Sequence, residues 1–185
     1  MHADKLAIYL NDHLAGATFG VGLARRIARR QRDAAPGADL ERLAAQVTED
    51  RRALLAIMDE LGVPARRYKI YGGWAAERLG RLKPNGALYR RSGLSTLIEL
   101  EAMRVGVEGK ALGWRTLLMV AQREGGLDEE RVRALLDRAL GQIETLETLR
   151  LAAAAANFSA DPAGSANSAD STDPADGHSL APGAR

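Results

Sequence analysis

The stretch DEERVRALLDRALGQIETLETLR, residues 128–150, decides the fold. Val132, Leu135, Leu136, Ala139, Ile143, Leu146 and Leu149 recur every three or four residues, the spacing of one face of an α-helix. Asp128 stands where an N-cap belongs, and Arg131 takes the place of a capping-box Glu or Gln. The pattern runs on to about Ala156. A helix apolar along one stripe has to bury that stripe against another element, so the rest of the chain should supply partners.

Three further segments have the same period. The first spans Ala3 to Arg32, with Leu6, Leu10, His13, Ala17, Gly20, Ala24 and Ile27 on its stripe. Asp4 sits at its N-terminal end and five arginines crowd its C-terminal end, both matching the helix dipole. Pro36-Gly37 makes a turn into a second helix, Ala38 to Leu61, whose stripe is Leu40, Leu43, Val47, Asp50, Leu54, Ile57 and Leu61. Gly62 and Pro64 stop it. A third begins after Ser92-Gly93 and runs to Arg123, with Leu94, Leu97, Glu101, Val105, Glu108, Leu112 and Met119 as its expected inner face. Glycines at 16, 20, 106, 109 and 113 point to close helix approach or a bend.

The expected fold is therefore all-α, a four-helix bundle over residues 1–156. The connector between the second and third helices spans Val63 to Gly93 and is expected to hold a short amphipathic helix over Arg67 to Leu82. A connector of that length can cross the bundle from end to end. Residues 157–185 are rich in Ser, Ala, Asp, Pro and Gly and are expected to form a disordered tail.

Composition removes several chemistries. The chain has no cysteine, which excludes disulfides, thiolate nucleophiles and Cys-based metal sites. No Gly-x-Ser-x-Gly elbow or phosphate-binding Gly-x-x-x-x-Gly-Lys motif occurs. No apolar run approaches the length of a membrane span, and Met1-His2-Ala3-Asp4-Lys5 lacks the pattern of a signal peptide, so a cytoplasmic location is expected. Net charge is only +2, too mild to demand nucleic acid. Heavy use of Ala, Arg and Gly fits a bacterial source.

Two constellations remain. His13, Asp50, Glu101 and Glu108 interrupt otherwise apolar stripes on three helices. Inward carboxylates with a histidine could hold one iron, manganese or zinc ion, with Glu49 an alternative to Asp50 and Glu99 to Glu101. The competing expectation is that Asp50 pairs with an arginine, such as Arg51 or Arg104, and that Glu101 meets Lys110, Arg104 or solvent. The connector is the other constellation. Arg66, Arg67, Lys69, Arg78 and Arg81 are interleaved with Tyr68, Tyr71 and Trp74, which could serve an anion or single-stranded nucleic acid. The competing expectation there is a covering helix with solvated charges.

Four long helices, a helix-bearing connector and inward acidic residues resemble the ferritin-like superfamily. The segments Tyr9-Leu10-Asn11-Asp12-His13-Leu14-Ala15-Gly16, Glu49-Asp50-Arg51 and Gly109-Lys110 followed by Trp114 also resemble small bacterial proteins of that type. In its metal-oxidising members two helices each give a Glu and two give Glu-x-x-His. Here His13 takes the place of the first Glu, Glu49-Asp50 has no following His, and Glu144 and Glu147 of the fourth helix have none either. What the resemblance implies is the scaffold without a complete di-iron motif. The expected function is a non-catalytic interaction or stress-associated protein, with a homodimer through the glycine-rich faces or the fourth helix. A mononuclear metal protein, or an anion-binding connector, is the alternative.

Overall fold

A computed structural model describes residues 3–66 and 93–159. Four helices account for almost all of them: α1 (Ala3–Arg30), α2 (Gly37–Glu60), α3 (Gly93–Glu124) and α4 (Glu129–Phe158). No strand occurs among the described residues.

The ends form where local chemistry requires them. Asp128 caps α4, its carboxylate accepting from the Arg131 backbone N–H at 3.1 Å. The turn between α1 and α2 closes tightly at Gly37, where a Cβ would fall 2.5 Å from the Arg32 carbonyl oxygen. Only glycine fits there. Gly62 ends α2 in the left-handed region, at φ 65°, and the Val63 N–H reaches back to the Met58 carbonyl at 2.8 Å. The fourth helix continues two residues past the expected stop. Asn157, placed in the tail by sequence, instead donates to the Ala153 carbonyl at 2.7 Å.

Contacts along the helices give the topology. Arg51 of α2 donates to Thr18 of α1 at 2.9 Å, and Arg32 lies 3.4 Å from Glu41, so α1 and α2 are antiparallel. Tyr9 donates to Thr116 at 3.0 Å, and Gln31, at the opposite end of α1, donates to Thr96 at 3.0 Å. α3 is therefore also antiparallel to α1, and parallel to α2. Arg104–Glu147 and Arg131–Glu60 set α4 antiparallel to both α3 and α2. The α2–α4 side is the most open.

Asn11 is the residue that fixes where the chain leaves α2. Its buried amide donates to the Pro64 carbonyl at 3.2 Å, and its side-chain oxygen accepts from the Arg66 N–H at 2.9 Å. That exit lies beside the start of α1, whereas α3 begins beside the end of α1. The two ends of the connector thus lie at opposite ends of the bundle. The short helix expected over Arg67 to Leu82 falls outside the described residues, as does the tail from residue 160.

The core contains Leu10, Leu14 and Ile27 of α1, Leu43, Val47 and Ile57 of α2, Met103, Val107 and Trp114 of α3, and Val132 and Leu146 of α4. Burying each large side chain contributes about 1.5–3 kcal/mol. For α2 and α4 the expected stripes face inward. For α3 they do not. Its buried stripe is Leu97, Leu100, Met103, Val107, Ala111, Trp114, Leu117 and Ala121. Val105, Leu112 and Met119, expected inside, are 70%, 57% and 44% exposed. α3 is apolar on two opposite sides, and the side with the wider residues, including Trp114, is the one that packs.

Candidate functional site

Asp50 lies on the apolar stripe of α2 between Val47 and Leu54, and the bundle buries it to 2% exposure. A carboxylate in that position needs partners. Arg138 of α4 supplies Nε to Oδ1 at 2.7 Å. Lys110 of α3 hydrogen-bonds Oδ2, and Gln142 of α4 donates Nε2 to the same oxygen at 3.0 Å. Gln142 also accepts from Lys110 and lies 3.3 Å from Gln46. Arg138 continues to Glu49 at the rim, 3.5 Å away. Two cations and two carboxylates balance. The cluster ties α2 to α3 across the diagonal and to α4 beside it.

The sequence positions of these groups explain their reach. Asp50 and Gln142 stand on core stripes, Gln142 between Ala139 and Leu146. Lys110 and Arg138 each precede a core alanine, Ala111 and Ala139, so they start from the flank and send long stems inward. Burial pushes the Lys110 ammonium below its ordinary value; the Asp50 charge and hydrogen bond oppose this, and Arg138 adds to it.

The four residues expected to converge on a metal do not meet. His13 is half-buried between α1 and α3. A Cβ on Gly113 would lie 3.0 Å from its ring, and Tyr9 packs edge-on with ring centroids 4.5 Å apart. Glu101, expected inside, points outward, 3.9 Å from Arg150. Glu108, also expected inside, lies 3.6 Å from Arg104 on its own helix. Both departures follow from the rotation of α3. The alternative Glu99 faces α1 and pairs with Arg30 at 2.7 Å and Arg26 at 3.2 Å. Among the described residues no group of three or more His, Asp or Glu side chains is placed to hold a metal ion. Asp50 does take cationic partners, but they are Lys110 and Arg138 in place of Arg51 and Arg104.

Of the expected anion-binding residues, Arg66 is described only through its N–H bond to Asn11, while Arg67, Lys69, Trp74, Arg78 and Arg81 fall outside the described residues. A shallow cleft of about 290 Å³ opens between α2 and α4, lined by Arg42, Gln46, Thr145, Thr148 and Leu149. It reaches the edge of the polar cluster at Gln46 but does not enclose a ligand-sized volume. No helix among the described residues is long and apolar enough to cross a membrane. No protein-family model matches the chain, and no curated protein or solved structure matches it either.

His13 carries a pH prediction. Burial lowers its pKa from the usual 6.5, with Asp12 opposing. Once pH drops below that usual value, the unfolded chain binds more protons than the folded one. The contribution to stability is therefore full above about 6.5 and falls with pH until the lower folded-state pKa is passed. Urea unfolding at pH 7.5 and 5.5 is expected to show a larger loss for the native chain than for His13→Gln. Equal losses would place His13 in a water-like environment.

Proposed function

We propose that this chain is a non-catalytic, ferritin-like helical bundle that acts by association with other protein surfaces, its polar centre serving the register of the helices. The observation that carries this reading is the saturation of Asp50. A carboxylate offers about four lone-pair directions. Arg138 meets Oδ1 through both Nε and Nη2, and Lys110 and Gln142 occupy Oδ2, four donor nitrogens in all. Neither oxygen has a lone pair turned to a metal ion, and His13, Glu101 and Glu108 are engaged elsewhere. The position of the described residues on either side of the connector, at opposite ends of the bundle, supports the ferritin-like scaffold. Apolar residues on the outer side of α3 support association.

A thermal-shift titration with Fe(II), Mn(II) and Zn(II) tests the assignment of the polar centre. A bound ion stabilises the folded state by RT ln(1 + [L]/Kd), so ligation at the centre would raise Tm as ion concentration rises. No rise is expected. A rise with any of the three that disappears in Asp50→Asn would overturn the reading.

A further inference from the structure

Ile98, Val105, Leu112 and Met119 are spaced by seven, and all four are exposed, between 37% and 70%. They lie diametrically opposite the buried face that holds Met103, Val107 and Trp114. Ala102, Gly109 and Thr116 sit four residues after the first three, so the outer face reads 98–102–105–109–112–116–119. That alternation of four and three is the seam of a two-helix coiled coil. It extends about 31 Å along α3, and its drift of about 20° per heptad keeps it on one stripe. No described helix covers its four large apolar residues; α1 reaches its edge only at Thr116, through Tyr9.

We propose that this face binds the same face of a second copy of the chain, with the two α3 helices antiparallel about a two-fold axis near Glu108 and Gly109. The inference rests on the association reading above and names its partner. Charge complementarity selects the orientation. Flanking the seam on one side are Glu101, Glu108 and Arg115. In an antiparallel pair equivalent flanks face each other, so the axis that sets Val105 against Leu112 and Ile98 against Met119 also sets Glu101 against Arg115, twice. Arg115 has no ion-pair partner among the described residues, and Glu101 has only Arg150 at 3.9 Å. Glu108, which meets its own copy near the axis, is already accompanied by Arg104 at 3.6 Å. A parallel pair would oppose Glu101 to Glu101 and Arg115 to Arg115. The small residues Ala102 and Gly109 let the helices approach closely; a Cβ on Gly109 meets nothing within the monomer. One helix pair buries a modest area, so a reversible dimer is expected.

Sedimentation equilibrium of the full chain across a concentration series tests this. A monomer–dimer equilibrium is expected, weakened at least about 100-fold by Val105→Glu combined with Leu112→Glu at unchanged helical circular dichroism, since both substitutions put charges into the seam. The absence of cysteine allows single spin labels. Glu108→Cys should give a short inter-copy distance, whereas Gln122→Cys should give an axial separation of about 40 Å. Short distances at both sites would mean a parallel pair and overturn the proposal, as would a dimer indifferent to the two glutamates. A monomer at every concentration would overturn it too. In that event, alkylation of Leu112→Cys separates the causes. Rapid reaction in the native monomer leaves an open face and an association reading that needs another partner. Slow reaction that accelerates in urea means the chain covers the face itself, and the association reading fails with the dimer.

Discussion

Asp50→Leu alone is expected to cost about 3–5 kcal/mol of stability, because it leaves Lys110 and Arg138 facing one another with no buried anion between them. A domain of this kind has about 5–15 kcal/mol in total, so the loss removes a large share. Among the described residues the carboxylate is the only acid that meets Lys110. Arg138 has a second partner in Glu49 and can turn toward the rim; among the described residues Lys110 has only Gln142 left. Replacing the set together, as Asp50→Leu, Lys110→Met and Gln142→Leu, is expected to recover most of the loss, since an apolar trio of similar volume carries no desolvation penalty. Urea midpoints at constant slope measure both effects. A single substitution costing under about 0.5 kcal/mol would place Asp50 in water.

Trp114→Ala is expected to cost about 3–5 kcal/mol, and Leu112→Ala less than about 0.5 kcal/mol in the monomer. The two residues are neighbours in sequence on opposite sides of α3. Trp114 is 2% exposed in the core; Leu112 is 57% exposed. The indole N–H of Trp114 is buried with no hydrogen-bond partner among the described residues, so Trp114→Phe should cost less than the alanine substitution. Comparable losses for Trp114→Ala and Leu112→Ala, measured by denaturation at dilute protein, would mean that α3 packs by its other side.

That contrast also shows what can be read from sequence. The four helices, the turn at Gly37, the Asp128 cap and the inward position of Asp50 follow from period and end chemistry, which are local properties. The level of Asp50 along the bundle is legible as well. Helix rise places Glu101 and Glu108 on either side of it, and Lys110, which meets it, lies within one turn of Glu108. The rotation of α3 about its axis is not legible. The heptad residues Ile98, Val105, Leu112 and Met119 compete with the true core stripe, and nothing within one helix says which side its neighbours will choose. The polar cluster is hidden for a related reason. Lys110 and Arg138 start from flanks, and their inward reach depends on finding a buried acid on another helix. Gln142 has a visible signal, since it falls on the stripe between Ala139 and Leu146, but an uncharged amide draws less notice than a carboxylate. Asn11 stands off the expected stripe beside the conspicuous His13, and it is Asn11 that anchors the exit from α2.

An acid on α2 and a base on α3, diagonal to one another, meet inside the bundle and hold its helices in register. A double-mutant cycle of Asp50→Ala and Lys110→Ala, read by urea unfolding, measures that contact apart from everything else the two side chains touch. The expected coupling is about 1.5–3 kcal/mol, with the double variant more stable than the two single losses would sum to. Additive losses would show that Asp50 and Lys110 do not meet, and the arrangement of the four helices around them would not stand.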